Sequence, residues 1–299
     1  MFFLKYIHKT MVLLINSIYY LFKVNPIVLN AYVTIKRGKI IHRNWGDDLN
    51  IYLIEYLTQR PVIVANQSLI HRIIKLNKFV CIGSTLNLYS DSKTEVWGTG
   101  FIDVNDSIPN VPYKIHSVRG YLTYYKLMSR GIKCPKSFGD PVLLVSKVYT
   151  PKKIGEFKLG IIPHGVDKNN PLLLAFAKKY RDQVLIIDLV NYKKWTDILD
   201  SIISCRLILS SSLHGLIASD SYNIPNFWIR LSSGLIGGDF KFLDYFSSVQ
   251  RKVNVINIVS LDILETFLNN QENYSYCKPI IDFKSIEESC PFDIKLLTN

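Results

Sequence analysis

The stretch Arg206-Leu207-Ile208-Leu209-Ser210-Ser211-Ser212-Leu213-His214-Gly215 decides how this chain is read. An apolar run ends in three hydroxyl residues and passes directly into a helix-like stretch, Leu216 to Asn223. A short buried strand that turns into a helix at this point aims free backbone amides and serine oxygens at one spot. The first amides of a helix lack partners and carry the positive end of its dipole, so the corner suits an anion. His214, in the first turn, sets an imidazole beside that anion. The same residues admit a purely structural reading, in which Ser212 caps the helix and His214 fills a gap under the sheet.

Outward from this corner, strands and helices alternate. In the second half Leu159 to Ile162, Val184 to Asp188, Asn226 to Ile229 and Val253 to Ile258 are strand-like, while Asn170 to Tyr180 and Lys194 to Ser204 are helical. In the first half the strand-like runs are Ala31 to Ile35, Lys39 to Ile41, Pro61 to Ala65, Lys78 to Ile82, Glu95 to Gly100 and Tyr113 to Val118. Asp48 to Leu57 carries Leu49, Tyr52, Leu53, Tyr56 and Leu57 at helical spacing. Such alternation predicts parallel sheets. Gly139-Asp140-Pro141 and the stretch around Pro151 mark a junction. The expected fold is α/β, with two Rossmann-like lobes, 31–145 and 155–299, facing a cleft at the carboxyl ends of their strands. An amphipathic helical segment, 1–30, precedes them.

With 299 residues, 48% hydrophobic and 20% charged, the chain is globular and has room for two domains. Its net charge of +12 is scattered, with no basic block of five or six, which excludes an extended nucleic-acid tract. Diffuse positive charge attracts anionic metabolites or an anionic membrane surface. The five cysteines are odd in number and none has CxxC spacing, so neither a disulfide framework nor a metal cage is expected. That usage points to a reducing compartment. The apolar run Met11 to Phe22 falls short of the roughly 18 to 20 residues a spanning helix needs. Lys9, Asn16 and Lys23 recur every seven residues, giving one polar stripe on a greasy helix. Such a helix lies in a membrane interface or packs on the protein body.

Several polar clusters follow predicted strands. In Asn44-Trp45-Gly46-Asp47-Asp48, one carboxylate caps the next helix or accepts a proton from a hydroxyl. Gly83-Ser84 and Gly98-Thr99-Gly100 permit close backbone approach, although neither a GxGxxG nor a P-loop pattern occurs. Arg119 after Val118 forks onto a carboxylate or phosphate, or forms a surface ion pair. His164 after Pro163 reads as structural when taken alone. Convergence of these clusters on strand ends predicts an enzyme cleft for a small anion, with no metal-ligand spacing in it.

In chain order, Asn44-x-Gly46-Asp47-Asp48-Leu49-Asn50, Gly83-Ser84, Val96-Trp97-Gly98-Thr99-Gly100-Phe101, Val118-Arg119-Gly120-x-x-Thr123, Gly139-Asp140-Pro141, Ile162-Pro163-His164 and Ser210 to Gly215 form a set. Together they resemble the polysaccharide pyruvyl transferase family, from about residue 38 to 246. The resemblance implies a fold like the two-lobed (GT-B type) glycosyltransferases. It also implies transfer of pyruvate from phosphoenolpyruvate to a sugar as a ketal, with no cofactor beyond that donor. His214 is then the acid for the methylene carbon, and Asp47 or Asp48 the base for a sugar hydroxyl. Arg119, Ser211, Ser212, Asn44, Gly83, Ser84, His164 and Lys241 are the expected donor and acceptor contacts.

Many members carry Arg-Leu-His where this chain has Ser212-Leu213-His214, so Lys241, Arg230 or Arg206 is expected to supply the charge. Tyr121 stands where a proline often follows Arg-Gly. The implied acceptor is a sugar of a cell-surface polysaccharide precursor, lipid-linked or nucleotide-linked, met in the cytoplasm on the inner face of the membrane. Two alternatives stand beside this reading. One is a nucleotide-sugar glycosyltransferase in which Asp239 or Asp244 grips a ribose. The other is a non-catalytic relative in which Ser212 marks lost donor binding.

Overall fold

Short runs dense in Val, Ile and Leu form the strands, as expected where helices cover both faces of a parallel sheet. The computed structural model describes residues 23–36, 39–42, 44–68, 71, 75–232, 237–270 and 275–297. The amphipathic helix expected between residues 11 and 22 lies outside the described residues.

In chain order the first half contains β1 (Ile27–Leu29), β2 (Thr34–Lys36), β3 (Lys39–His42), α1 (Trp45–Thr58), β4 (Val62–Val64), β5 (Lys78–Val80), α2 (Leu86–Tyr89), β6 (Thr94–Trp97), β7 (Lys114–Ser117) and α3 (Tyr121–Met128). A 3-10 turn (Pro141–Leu144) and α4 (Val145–Val148) lead to the second half. There β8 (Phe157–Ile162), α5 (Pro171–Lys179), β9 (Val184–Ile186), α6 (Trp195–Ile203), β10 (Cys205–Ser210), α7 (Leu213–Ser221), β11 (Asn226–Arg230), α8 (Phe240–Ser248), β12 (Val255–Asn257), α9 (Leu261–Asn269) and α10 (Phe283–Glu288) follow.

The strands form two five-stranded parallel sheets, ordered β4-β1-β5-β6-β7 and β12-β11-β10-β8-β9, while β2 and β3 pair as an antiparallel hairpin. Each large sheet, counted from its own first strand, has the doubly wound order 2-1-3-4-5. The order reverses between β1 and β5 in the first sheet and between β8 and β10 in the second. Helices leave to opposite faces at such a reversal and open a crevice at the carboxyl ends of the strands. Gly83-Ser84 lies beyond β5; His164 and Ser211-Ser212 lie beyond β8 and β10. Those are the two crevices.

Three expectations need correction. β1 falls inside the segment assigned to an N-terminal helical extension, yet its three residues are buried and pair with β4 and β5. An apolar tripeptide between Pro26 and Asn30 is too short to display a period. The strand expected over Ala31 to Ile35 is instead the first arm of the hairpin. α1 begins at Trp45 rather than Asp48, so neither aspartate is its N-cap; Asn44 is.

The largest core cluster runs through both halves, with Leu49, Leu53 and Trp97 joined to Ile208, Leu216 and Phe242. The chain beyond residue 275 returns to the first sheet. Trp97 donates its indole N–H to the Ile286 carbonyl (3.3 Å), and Phe292 meets Phe79 and Trp97 edge-on at 4.5 and 6.0 Å. Among the described residues no helix is long and apolar enough to cross a membrane.

Candidate active site

Two helix N-termini, one from each half, meet where the crevices face each other. Trp45 opens α1 fully buried, its backbone N–H on the Leu189 carbonyl (2.9 Å) and its indole on the Trp195 carbonyl (2.8 Å). Gly46 follows, and the His214 ring occupies the space a side chain would need. A Cβ on Gly46 would lie 1.8 Å from His214 Nδ1, so this close approach requires glycine. His214, in the first turn of α7, is thereby set against the residue before Asp47. Its Nε2 is shut off from solvent and has no hydrogen-bond partner.

The three serines before it divide their work. The Ser210 hydroxyl lies 3.1 Å from the Ile162 carbonyl and 2.9 Å from that of Ser212, and accepts the Ser212 N–H. Ser211 accepts the His164 N–H at 2.8 Å and donates to buried Asp167 at 2.9 Å. Ser211 therefore fixes the loop after β8 rather than offering its hydroxyl to a ligand. Ser212 occupies the N-cap position of α7, yet its hydroxyl makes no capping bond. Instead it lines a cavity of about 550 Å³ together with Asn44 and His164. His164 is held in the same loop, its Nδ1 accepting the Val166 N–H at 3.4 Å.

Arg119 does not present a free fork. It is fully buried; Nε donates to Asp244 (3.0 Å), Nη2 to the Phe101 carbonyl (2.6 Å) and Nη1 to Ser84 Oγ (2.6 Å). Asp244 also takes the Thr123 N–H (2.8 Å) and hydroxyl (2.7 Å). Gly120 completes the clamp, because a Cβ there would sit 1.8 Å from the Asp244 carbonyl oxygen. The Arg-Gly-x-x-Thr motif thus grips α8 of the other half, and the donors that were expected to hold phosphate are spent on a carboxylate, a backbone carbonyl and a serine hydroxyl. Asp244 cannot then serve a ribose. Asp239 is also engaged, at 2.7 and 2.8 Å from Arg230.

The paired carboxylates separate in the same way. Asp48 is fully buried and accepts the Tyr192 hydroxyl from the second half. Asp47 takes Asn44 Nδ2 at 2.7 Å, and its Oδ1 lies 3.4 Å from where a Gly83 Cβ would be. Burial and the adjacent Asp48 push the Asp47 carboxyl up to about 7, against the pull of Lys241 and Asn44. Asp47 is thereby poised to exchange a proton near neutrality.

Lys241, in the first turn of α8, is buried to 8% exposure, with Nζ 5.5 Å from the Phe242 ring. Among the described residues it makes no hydrogen bond or ion pair. Burial and the nearby Arg119 push it down to about 8. Burial, Arg119, Lys241 and His164 push His214 down to about 3, so His214 is neutral at physiological pH. The acid role expected of His214 therefore requires an anion beside it to raise its pKa. Burial and Lys241 lower His164 too. Of the three cations considered for the missing arginine, Arg230 is paired with Asp239 and Arg206 is exposed on β10. Lys241 alone is in place. The Tyr192 and Asp167 contacts were invisible in the sequence, because each joins residues distant along the chain.

These contacts account for the motifs, and the comparisons agree with them. A family profile described as "Polysaccharide pyruvyl transferase" matches residues 105–233. "Uncharacterized protein L143" of Acanthamoeba polyphaga mimivirus is 32% identical over 211 residues, covering 68% of this chain and 70% of that protein. The chain belongs to the polysaccharide pyruvyl transferase family. A more distant relative, "Succinoglycan biosynthesis protein ExoV" of Rhizobium meliloti, is 26% identical over 206 residues, 68% of this chain and 61% of that protein. No solved structure matches the chain. The family match includes Arg119, His164, Ser212 and His214, whereas Asp47, Gly83 and Lys241 lie outside it.

Proposed function

We propose that this protein transfers the pyruvyl unit of phosphoenolpyruvate onto two hydroxyls of a sugar in a cell-surface polysaccharide precursor, releasing phosphate. The observation that carries this reading is Lys241, a buried cation that makes no ion pair among the described residues, set in one electrostatic cluster with Asp47, Arg119 and His214. A small, highly charged anion answers such a site. It would neutralise Lys241 and, by its own charge, raise His214 from about 3 toward a working acid.

The chemistry then balances. A proton adds to the methylene carbon, and the first sugar hydroxyl bonds to the adjacent carbon and gives up its proton. The carbon–oxygen bond to phosphate breaks, the second hydroxyl closes the ketal, and its proton departs with phosphate. In this reading His214 delivers the first proton, and Asp47 accepts hydroxyl protons. Arg119 acts at one remove, as a fixed positive charge behind Ser84.

The name of the Rhizobium meliloti relative supports a polysaccharide setting. The shared strand order of the sheets supports a two-lobed arrangement of the GT-B type, with the junction near residues 145–155. We place the protein in the cytoplasm, at the inner membrane face, with a lipid-linked or nucleotide-linked acceptor. Phosphate release from phosphoenolpyruvate, followed by phosphorus NMR with and without a sugar acceptor, tests the reaction. Release that depends on sugar, with a ketal mass increment on the sugar, is expected. Sugar transfer from a nucleotide sugar with phosphoenolpyruvate untouched would overturn it.

A further inference from the structure

The first half carries another cavity, of about 740 Å³, at the opposite end of its sheet from the crevice. Its walls are residues 111–115, which lead into the edge strand β7, and residues 130–135, which follow α3. Both segments lie at the amino end of β7, away from the candidate active site. Between Asp106 and Asp140 the chain has no aspartate or glutamate, yet it carries Lys114, Arg119, Lys126, Arg130, Lys133 and Lys136. Arg119 is spent on Asp244, and Lys126 on the Asp103 carbonyl at 3.1 Å. Lys114, Arg130, Lys133 and Lys136 are exposed and make no ion pair or side-chain hydrogen bond among the described residues. Glu95, beside Lys114 on β6, is taken by His116 at 2.7 Å, and no carboxylate lines the cavity. Buried Pro112 anchors the loop before β7, while Val111 and Tyr113 on either side of it are 59% and 69% exposed. Apolar side chains are thus held outward from an anchored residue and ringed by cations.

We infer that this end of the first half is a docking face for an anionic membrane surface, with Val111 and Tyr113 entering the interface and Lys114, Arg130, Lys133 and Lys136 meeting lipid phosphates. A tyrosine, apolar along its ring and polar at its tip, suits the headgroup level. Lysine and arginine held near anionic lipid supply the attraction that one or two apolar side chains cannot. A second copy of this chain is a poor occupant, because a two-fold contact sets these cations against their own copies. An acidic protein answers the charges, whereas a bilayer answers the charges and also takes up Val111 and Tyr113. Docking at this end leaves the cleft open to a donor from solution. The inference rests on the membrane placement proposed above for its setting and does not assume the transferase reaction.

Co-sedimentation of the full-length protein with vesicles tests the face without any substrate. The parent is expected to bind vesicles of phosphatidylcholine with about a third phosphatidylglycerol, to bind pure phosphatidylcholine far less, and to release as salt rises. Arg130→Gln with Lys133→Gln should weaken binding about 25-fold, at roughly fivefold per cation. Val111→Ser with Tyr113→Ser should weaken it about tenfold or more by removing the apolar contact. All four positions are exposed, so melting temperatures should stay near the parent's. Vesicle binding that both double variants retain overturns the face and places any membrane contact elsewhere on the chain. Binding that depends on the cations but not on Val111 and Tyr113, matched by equal binding to soluble polyglutamate, also overturns it and points to an acidic protein instead. A parent that binds no anionic vesicle overturns both the face and the membrane placement, while the proposed reaction stands on its own assay. Vesicle binding lost in the variants of a protein that never consumes phosphoenolpyruvate retains the face and sinks the reaction.

Discussion

Replacing Lys241 with Met separates what the site does from what the fold needs. Burial holds the ammonium at about 8, whereas an ordinary lysine titrates near 10.4. At ~1.36 kcal/mol per pKa unit the difference is on the order of 3 kcal/mol of charge burial. Met fills the same volume without that cost, so Lys241→Met should stabilise the fold by about 1–3 kcal/mol and raise the melting temperature by roughly 2–8 °C. The sign of the pH dependence is also set. Between about pH 8 and 10.4 the native state binds fewer protons at Lys241 than the unfolded chain does. Parent stability therefore gains a rising contribution across that window, which the variant lacks. Donor binding moves the other way. Losing a charge-assisted bond to phosphate should weaken phosphoenolpyruvate about 10- to 150-fold. Scanning fluorimetry across pH, with and without phosphoenolpyruvate, reads both effects. A variant that melts no higher than the parent and still binds phosphoenolpyruvate normally would refute the assignment of Lys241 as the anion's counter-charge.

Asp47→Asn should lower turnover about a hundredfold or more. It should also remove the acid limb of the rate profile near pH 7, and a rate profile still rising through pH 7 would argue against Asp47 as base. The raised Asp47 carboxyl contributes stability that is present below about pH 4 and lost as pH rises through 7. Thermal melts of the asparagine variant should lack that loss. His214→Gln should fold normally and lose turnover about a hundredfold or more; full activity with phosphoenolpyruvate would place the acid elsewhere. Arg119→Lys should act on folding rather than on the donor alone. It leaves buried Asp244 short of its forked partner, so urea denaturation should show a loss of about 3–5 kcal/mol.

How far the sequence carries this protein can be judged residue by residue. The apolar run ending at Ser210 turns into a helix as read, because strand, hydroxyl turn and helix start are all local signals. The motif order carries the family. Asp140 is local as well, capping the turn that follows it through the Val142 N–H (3.0 Å). Ile27–Leu29 was missed because a strand of three residues has no period to detect; its place in the sheet comes from its partners, β4 and β5.

Roles within the site divide along the same line. That Arg119, Asp244, Asp47, Asp48 and Lys241 are polar residues near element ends is written in the chain. Which of them is spent on another, and which is left for a ligand, depends on contacts spanning more than a hundred positions. Arg119 meets Asp244 at a separation of 125 residues, and Tyr192 meets Asp48 at 144. A charged group acts on a ligand only with the hydrogen bonds and field its neighbours leave it. Those neighbours are assembled when the two sheets pack, so the tertiary structure, not the motif, decides that Arg119 is a clamp and that Lys241, buried as it is, makes no ion pair among the described residues.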